Sequence, residues 1–166
     1  KSAQYLRKMG GLILVASLFV WFLSYFPRPV AGEPEIEHYE NSYLGQLGRW
    51  CEPAVEPLGL NWKAGVAILS GVSAKEIVVS TLGVLYSQDA TADDASLAQT
   101  LRESGDFTPA SALAFLVFVL LYFPCIATIV AVRNEAGRGW ALASMVYSTA
   151  VAWFVAWIVY HIALLL

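Results

Sequence analysis

Charge is scarce in this 166-residue chain: 14% of its residues are Asp, Glu, Lys or Arg, against 58% hydrophobic. With a mean hydropathy of +0.59, that balance excludes an ordinary soluble domain. Lys and Arg number ten and the net charge is −3, with no basic stripe, which excludes nucleic acid as a partner. The two cysteines, Cys51 and Cys125, show no CxxC spacing and no paired framework. No GxxxxGK[ST] string is present, so a phosphate-cradling nucleotide loop is missing. No initiating Met opens the chain, and Lys1-Ser2-Ala3-Gln4-Tyr5 reads as the interior of a longer protein. No secretory signal precedes the first apolar run, which has the length of a true span.

What is present is a series of long apolar segments. Leu6 to Phe26 is expected to be the first span, with Arg7 and Lys8 at its start, Trp21, Tyr25 and Phe26 as an aromatic belt, and Pro27 as its stop. Lys1, Arg7 and Lys8 place that start in the cytoplasm by the positive-inside bias. Residues 27–60 read as a Pro- and Gly-punctuated acidic loop carrying Glu33, Glu35, Glu37, Glu40, Glu52 and Glu56. A solvated surface loop accounts for these charges, and cation gathering by Glu35 to Glu40 is the sharper alternative. Leu44 to Leu60 is expected to lie along the membrane as a short interfacial helix.

Trp62 to Tyr86 is apolar on both sides of Gly71-Val72-Ser73-Ala74-Lys75-Glu76. Ionisable groups at such a depth must face protein or water, and they mark functional sites unless they pair with each other. Neighbours on a helix point about 100° apart, so Lys75 and Glu76 each need a separate partner. Ser73, Glu76 and Ser80 fall on one helical face and offer oxygen to a cation. Gly71 makes a break easy, giving either two half-helices of a re-entrant hairpin or one interrupted span. Charge bias favours the hairpin: it keeps Asp89, Asp93, Asp94, Glu103 and Asp106 outside with the first acidic loop, and Arg133 and Arg138 inside.

From Phe107 to Val132 no residue is charged. Thr108-Pro109 reads as an N-cap with proline at the first helical position. Pro124 has no N–H to donate, so a helix through it leaves the Leu120 carbonyl without its partner. Such a break is either a packed kink or an ion site of the kind broken membrane helices build. Cys125 and Thr128, three apart, share the face beside it, and a soft sulfur near bare carbonyls suits a transition metal. The last span, Trp140 to Leu166, carries Ser144, Ser148, Ala152 and Ala156 at four-residue intervals, a face that permits close packing. Trp153, Trp157, Tyr160 and His161 read as interface anchors.

Two strings, Gly65 to Tyr86 and Leu121-Tyr122-Phe123-Pro124-Cys125-Ile126-Ala127-Thr128, with Phe107-Thr108-Pro109-Ala110-Ser111-Ala112-Leu113 between them, resemble the second gate region of the bacterial ferrous iron transporter B family. The end of the first span, Trp21 to Pro27, resembles the helix preceding that gate. The resemblance covers nearly the whole chain and leaves the acidic loops unmatched. It implies an all-α polytopic membrane protein of the bacterial inner membrane, with transmembrane helices and a re-entrant or interrupted gate helix. It further implies a permease for Fe²⁺ whose full-length members carry an N-terminal GTP-binding domain using GTP and Mg²⁺. This chain would be the C-terminal part of the membrane domain, without a nucleotide site or the first gate.

Residue by residue, the resemblance places the gate cysteine on Cys125 and the basic–acidic pair on Lys75 and Glu76. The ion pathway is expected to comprise Cys125, Glu76, Ser73, Ser80 and Thr128, with Lys75, Pro124 and Gly71 in gating. No cofactor and no enzymatic residue is expected here; Fe²⁺ enters as cargo. Expected partners are the lipid bilayer, the remainder of the transporter with its first gate and GTPase domain, small cytoplasmic accessory proteins and further copies of itself. The domain plan is residues 1–60 as span, acidic loop and interfacial helix, then 61–166 as the gate region with interrupted helix 62–86, helix 107–132 and helix 140–166. The alternatives are a gate for nucleosides or other solutes, and a non-conducting packing scaffold.

Overall fold

The computed structural model describes residues 2–28, 35–86, 101–102, 104–122 and 125–165. Lys1, Glu33, Asp89, Asp93, Asp94, Glu103 and Pro124, named above, lie outside the described residues. Among the described residues all regular structure is helical: α1 Ser2–Tyr25, α2 Glu35–Asn41, α3 Tyr43–Val55, a 3₁₀ turn Glu56–Leu58, α4 Trp62–Ser70, α5 Ile77–Tyr86, α6 Pro109–Leu121, α7 Ile126–Ala136 and α8 Arg138–Leu165. Two runs, Pro109–Ala136 across its break and Arg138–Leu165, are long and apolar enough to cross a membrane. This is the all-α membrane architecture the composition calls for.

Local chemistry sets the helix starts. The Ser42 hydroxyl accepts the Gly45 N–H at 3.0 Å and opens α3. Residues 35–41 form a short helix where a loop was expected, tied in by the Ser42 N–H bonding back to the His38 carbonyl at 2.9 Å. Asn61 accepts from the Ala64 N–H at 3.2 Å and opens α4. Thr108 and Ser111 form a reciprocal capping box, Ser111 N–H to Thr108 Oγ1 at 3.1 Å and Thr108 N–H to Ser111 Oγ at 2.9 Å, with Pro109 at the first helical position.

The segment 62–86 is a hairpin. Its nine-residue and ten-residue halves are each about 15 Å long at 1.5 Å per residue, half of what a bilayer requires. Asn61 Nδ2, before α4, donates to the Tyr86 hydroxyl, at the end of α5, at 3.1 Å. The two halves therefore run antiparallel, with the start of α4 beside the end of α5. Tyr86 donates to Asp106 Oδ2 at 3.0 Å, and Lys63 pairs with the same oxygen at 3.3 Å. This cluster clamps the open end of the hairpin to the start of α6.

The expected helix 107–132 instead comprises α6 and α7, separated between Leu121 and Ile126, and it extends to Ala136. The α6 ladder closes when the Tyr122 N–H reaches the Phe118 carbonyl at 2.8 Å, and Cys125 takes an extended conformation that starts a new helix. At Gly137, φ +95°, the chain turns into α8, which begins at Arg138 rather than Trp140. From that turn α8 runs back along both α7 and α6. Ala152 and Ala156 of its small-residue face are 0% exposed, which lets α8 approach closely. The core is shared by the hairpin, α6 and α8, with Leu58, Val66, Val78, Leu85 and Phe118 buried in it.

On the other side α3 crosses α4 where Gly48 meets Gly65; a side chain on Gly48 would run into Val66 and the Trp62 carbonyl. The Tyr43 N–H bonds the Phe26 carbonyl at 3.0 Å, fixing the end of α1 to the start of α3. Leu14, Phe19, Trp50, Trp140, Val146 and Phe154 are all exposed. Large apolar side chains exposed on several helices are what a chain solvated by hydrocarbon presents.

Candidate functional site

The two interruptions meet. The Ile126 N–H, first of α7, donates to the Val72 carbonyl in the hairpin turn at 3.2 Å. From the same turn, Lys75 Nζ donates to the backbone carbonyls of Val119 at 3.1 Å, Leu120 at 3.3 Å and Tyr122 at 3.3 Å. It also sits 4.7 Å from the centre of the Tyr122 ring. A cation at the C-terminal end of α6 satisfies carbonyls that the helix leaves unpaired and opposes the negative end of its dipole. The Leu120 carbonyl, expected to stand open beside the break, is thus held by Lys75.

Gly71 is required for this approach. A Cβ there would strike the Tyr122 hydroxyl and the Val78 side chain, so only glycine lets the hairpin tip reach the end of α6.

Of the residues singled out from sequence, Cys125 and Thr128 come together, with Cys125 Sγ 3.7 Å from Thr128 Oγ1. Cys125 is half-buried, whereas Glu76 and Thr128 are exposed. Lys75 and Glu76 diverge as expected of adjacent residues, the first toward α6 and the second outward.

Ser73 and Ser80 part company. Ser73 is 2% exposed and donates to the Ser70 carbonyl at 3.0 Å. It lines a cavity of about 200 Å³ between α1 and the hairpin, with Ser17, Ser24, Ser70 and Thr81. Ser80 is exposed and is not among the residues lining that cavity. A larger cavity of about 520 Å³ opens at the clamped end of the hairpin, lined in part by Glu52, Glu56 and Asp106. Among the described residues, no three His, Cys, Asp or Glu side chains converge as a metal site.

Sequence reasoning missed Tyr122 as the floor beneath Lys75, the hydroxyls of Ser17, Ser24, Ser70 and Thr81, and the Asn61–Tyr86–Asp106–Lys63 clamp. Asn61 ahead of an apolar run carries a readable capping signal; its bond to Tyr86 spans 25 positions and carries none. His161 packs its ring 4.3 Å from that of Trp157. On α3, burial raises the pKa of the Cys51 thiol above its ordinary value.

A family model described as Gate, nucleoside recognition, matches residues 6–139. The chain is 41% identical over 99% of its length to the Fe(2+) transport protein A/Fe(2+) transporter FeoB fusion protein of Porphyromonas gingivalis, covering 24% of that protein. It is 37% identical over its full length to the Fe(2+) transporter FeoB of Campylobacter jejuni, covering 28% of it, and 34% identical to that of Leptospira biflexa, covering 25%. The chain thus spans about a quarter of the length of these relatives. No solved structure matches it. By the match over residues 6–139 the chain belongs to the Gate family, and its likeness to Fe(2+) transporters FeoB extends over the whole of it.

Proposed function

We propose that this chain is the C-terminal part of the membrane domain of a ferrous iron permease, and that Fe²⁺ passes where the hairpin turn meets the α6–α7 break. The observation that supports the reading best is that junction: the Ile126 N–H donates to the Val72 carbonyl, and Cys125 Sγ lies 3.7 Å from Thr128 Oγ1 just beyond it. Fe²⁺ is borderline in softness, so one sulfur with carboxylate and hydroxyl oxygen exchanges part of its water. Three weakly placed donors bind well enough to admit the ion and loosely enough to release it.

Glu52, Glu56 and Asp106 around the 520 Å³ cavity raise the local cation concentration at the outer end. Arg133 and Arg138 lie at the cytoplasmic end. Lys75 is the latch holding the hairpin against α6, with Gly71 as the point at which it moves. Ser73 lines the cavity on the α1 side of the turn, and Ser80 is exposed on α5.

In the complete inner-membrane, multi-pass transporter this part would work with the first gate, a GTP- and Mg²⁺-binding domain, small accessory proteins and other copies of the protein. The test is uptake of radioactive Fe²⁺ by the full-length transporter carrying Cys125→Ser. Uptake should fall while the protein still reaches the membrane; unchanged uptake removes the sulfur from the pathway. Competition of uptake by nucleosides rather than by metals would move the assignment to an organic solute.

A further inference from the structure

The three carbonyls that receive Lys75 form a cup whose chemistry is independent of iron. Val119, Leu120 and Tyr122 each turn an oxygen toward one point, 3.1 to 3.3 Å away, and the Tyr122 ring lies 4.7 Å from that same point. The occupant is an ammonium on a four-carbon stem, a compact charge with freely rotating donors. Its distances are longer than the roughly 2.7–2.9 Å of a tight charge-assisted bond, because one small cation is shared among three acceptors.

A small divalent ion needs oxygen at about 2.0–2.1 Å in near-octahedral array. The cup would have to contract by about 1 Å on every side to hold one. It suits instead a large, weakly hydrated monovalent cation, which rings of backbone carbonyls coordinate and an aromatic face favours. The negative end of the α6 dipole adds to the attraction.

We infer that the Val119–Leu120–Tyr122 cup is a monovalent-cation site of ammonium and potassium size, and that Lys75 is its tethered occupant. An ion entering the cup displaces Lys75 and unties the hairpin turn from α6, so the site links monovalent-cation binding to the position of the hairpin.

The experiment is thermal unfolding of the purified full-length transporter, parent and Lys75→Met, in KCl, RbCl, NaCl and choline chloride at equal ionic strength. In the variant, potassium and rubidium should raise the unfolding midpoint by about 3 °C or more over sodium and choline, as ligand binding to the native state requires. The parent, in which potassium must first displace Lys75, should show a smaller difference; comparing the two removes any potassium effect elsewhere in the protein. Lys75→Ser repeats the measurement with a side chain too short to enter the cup. Identical midpoints in all four salts for both variants overturn the site. So does aggregation of both variants in every salt alike, since the site predicts recovery in potassium. Neither result bears on whether Cys125 carries iron.

Discussion

Lys75 Nζ lies 3.1 Å from the backbone carbonyl of Val119, a residue 44 positions further along the chain. That bond ties a turn between two half-helices to the end of another interrupted helix, so one side chain spans both breaks. Each break leaves backbone groups unmatched, and the cation of one is the partner for the carbonyls of the other.

Lys75→Ala should therefore destabilise the hairpin in sodium-based buffer. Hydrogen bonds to charged groups are worth about 1.5–3 kcal/mol each in favourable sites, and the half-buried position of Lys75 puts the total loss at roughly that of one such bond. Urea or thermal unfolding of the full-length protein measures it. A change under about 0.5 kcal/mol would show that the carbonyls are equally well served by water.

Gly71→Ala should cost about 1–3 kcal/mol, because the added methyl overpacks a close approach. Removing the obstructing hydroxyl with Tyr122→Phe should return part of that loss. A double-mutant cycle reads the coupling, and strict additivity would mean that the turn does not touch Tyr122.

The clamp at the open end predicts coupling between Lys63 and Asp106. Their side chains are 20% and 35% exposed, so water screens the pair partly. Asp106→Asn and Lys63→Met should each destabilise, with an interaction energy of roughly 0.5–1 kcal/mol in the double variant. Tyr86→Phe should add a loss of its own by removing a bond to Asp106 and one from Asn61.

Glu76→Gln should raise the Fe²⁺ concentration giving half-maximal uptake by up to about tenfold, equivalent to about 1.4 kcal/mol. The maximal rate at saturating iron should change less. The effect should shrink as ionic strength rises, since Glu76 is exposed and its charge is screened. A change confined to the maximal rate would move Glu76 from ion capture to gating.

Cys51 should react slowly with maleimide at neutral pH and faster as pH rises. Burial raises its pKa, so at any given pH below that value a smaller share is thiolate than for a free cysteine. Mass spectrometry of the labelled Cys125→Ser variant isolates this site. A rate at neutral pH equal to that of free cysteine would contradict the burial.

Much of the fold was legible from local chemistry. The apolar runs, the Thr108 N-cap with Pro109 after it and the interruption after Gly71 follow from hydropathy and caps, each acting over a few residues. The destination of each polar group was not legible. Helical spacing put Ser73, Glu76 and Ser80 on one face, but the turn at Gly71 removes the helix that spacing assumes. Ser73 therefore goes to the cavity beside α1, and Glu76 and Ser80 to the exterior.

The sequence by itself determined that this chain is membrane-embedded and which residues can interrupt its helices, because transfer out of water and the loss of an N–H are properties of single residues and short windows. Only the tertiary structure decided that the two breaks face each other and that Lys75 fills the carbonyl end of α6. A partner 44 positions away is chosen by the path of the whole chain, which leaves no local trace.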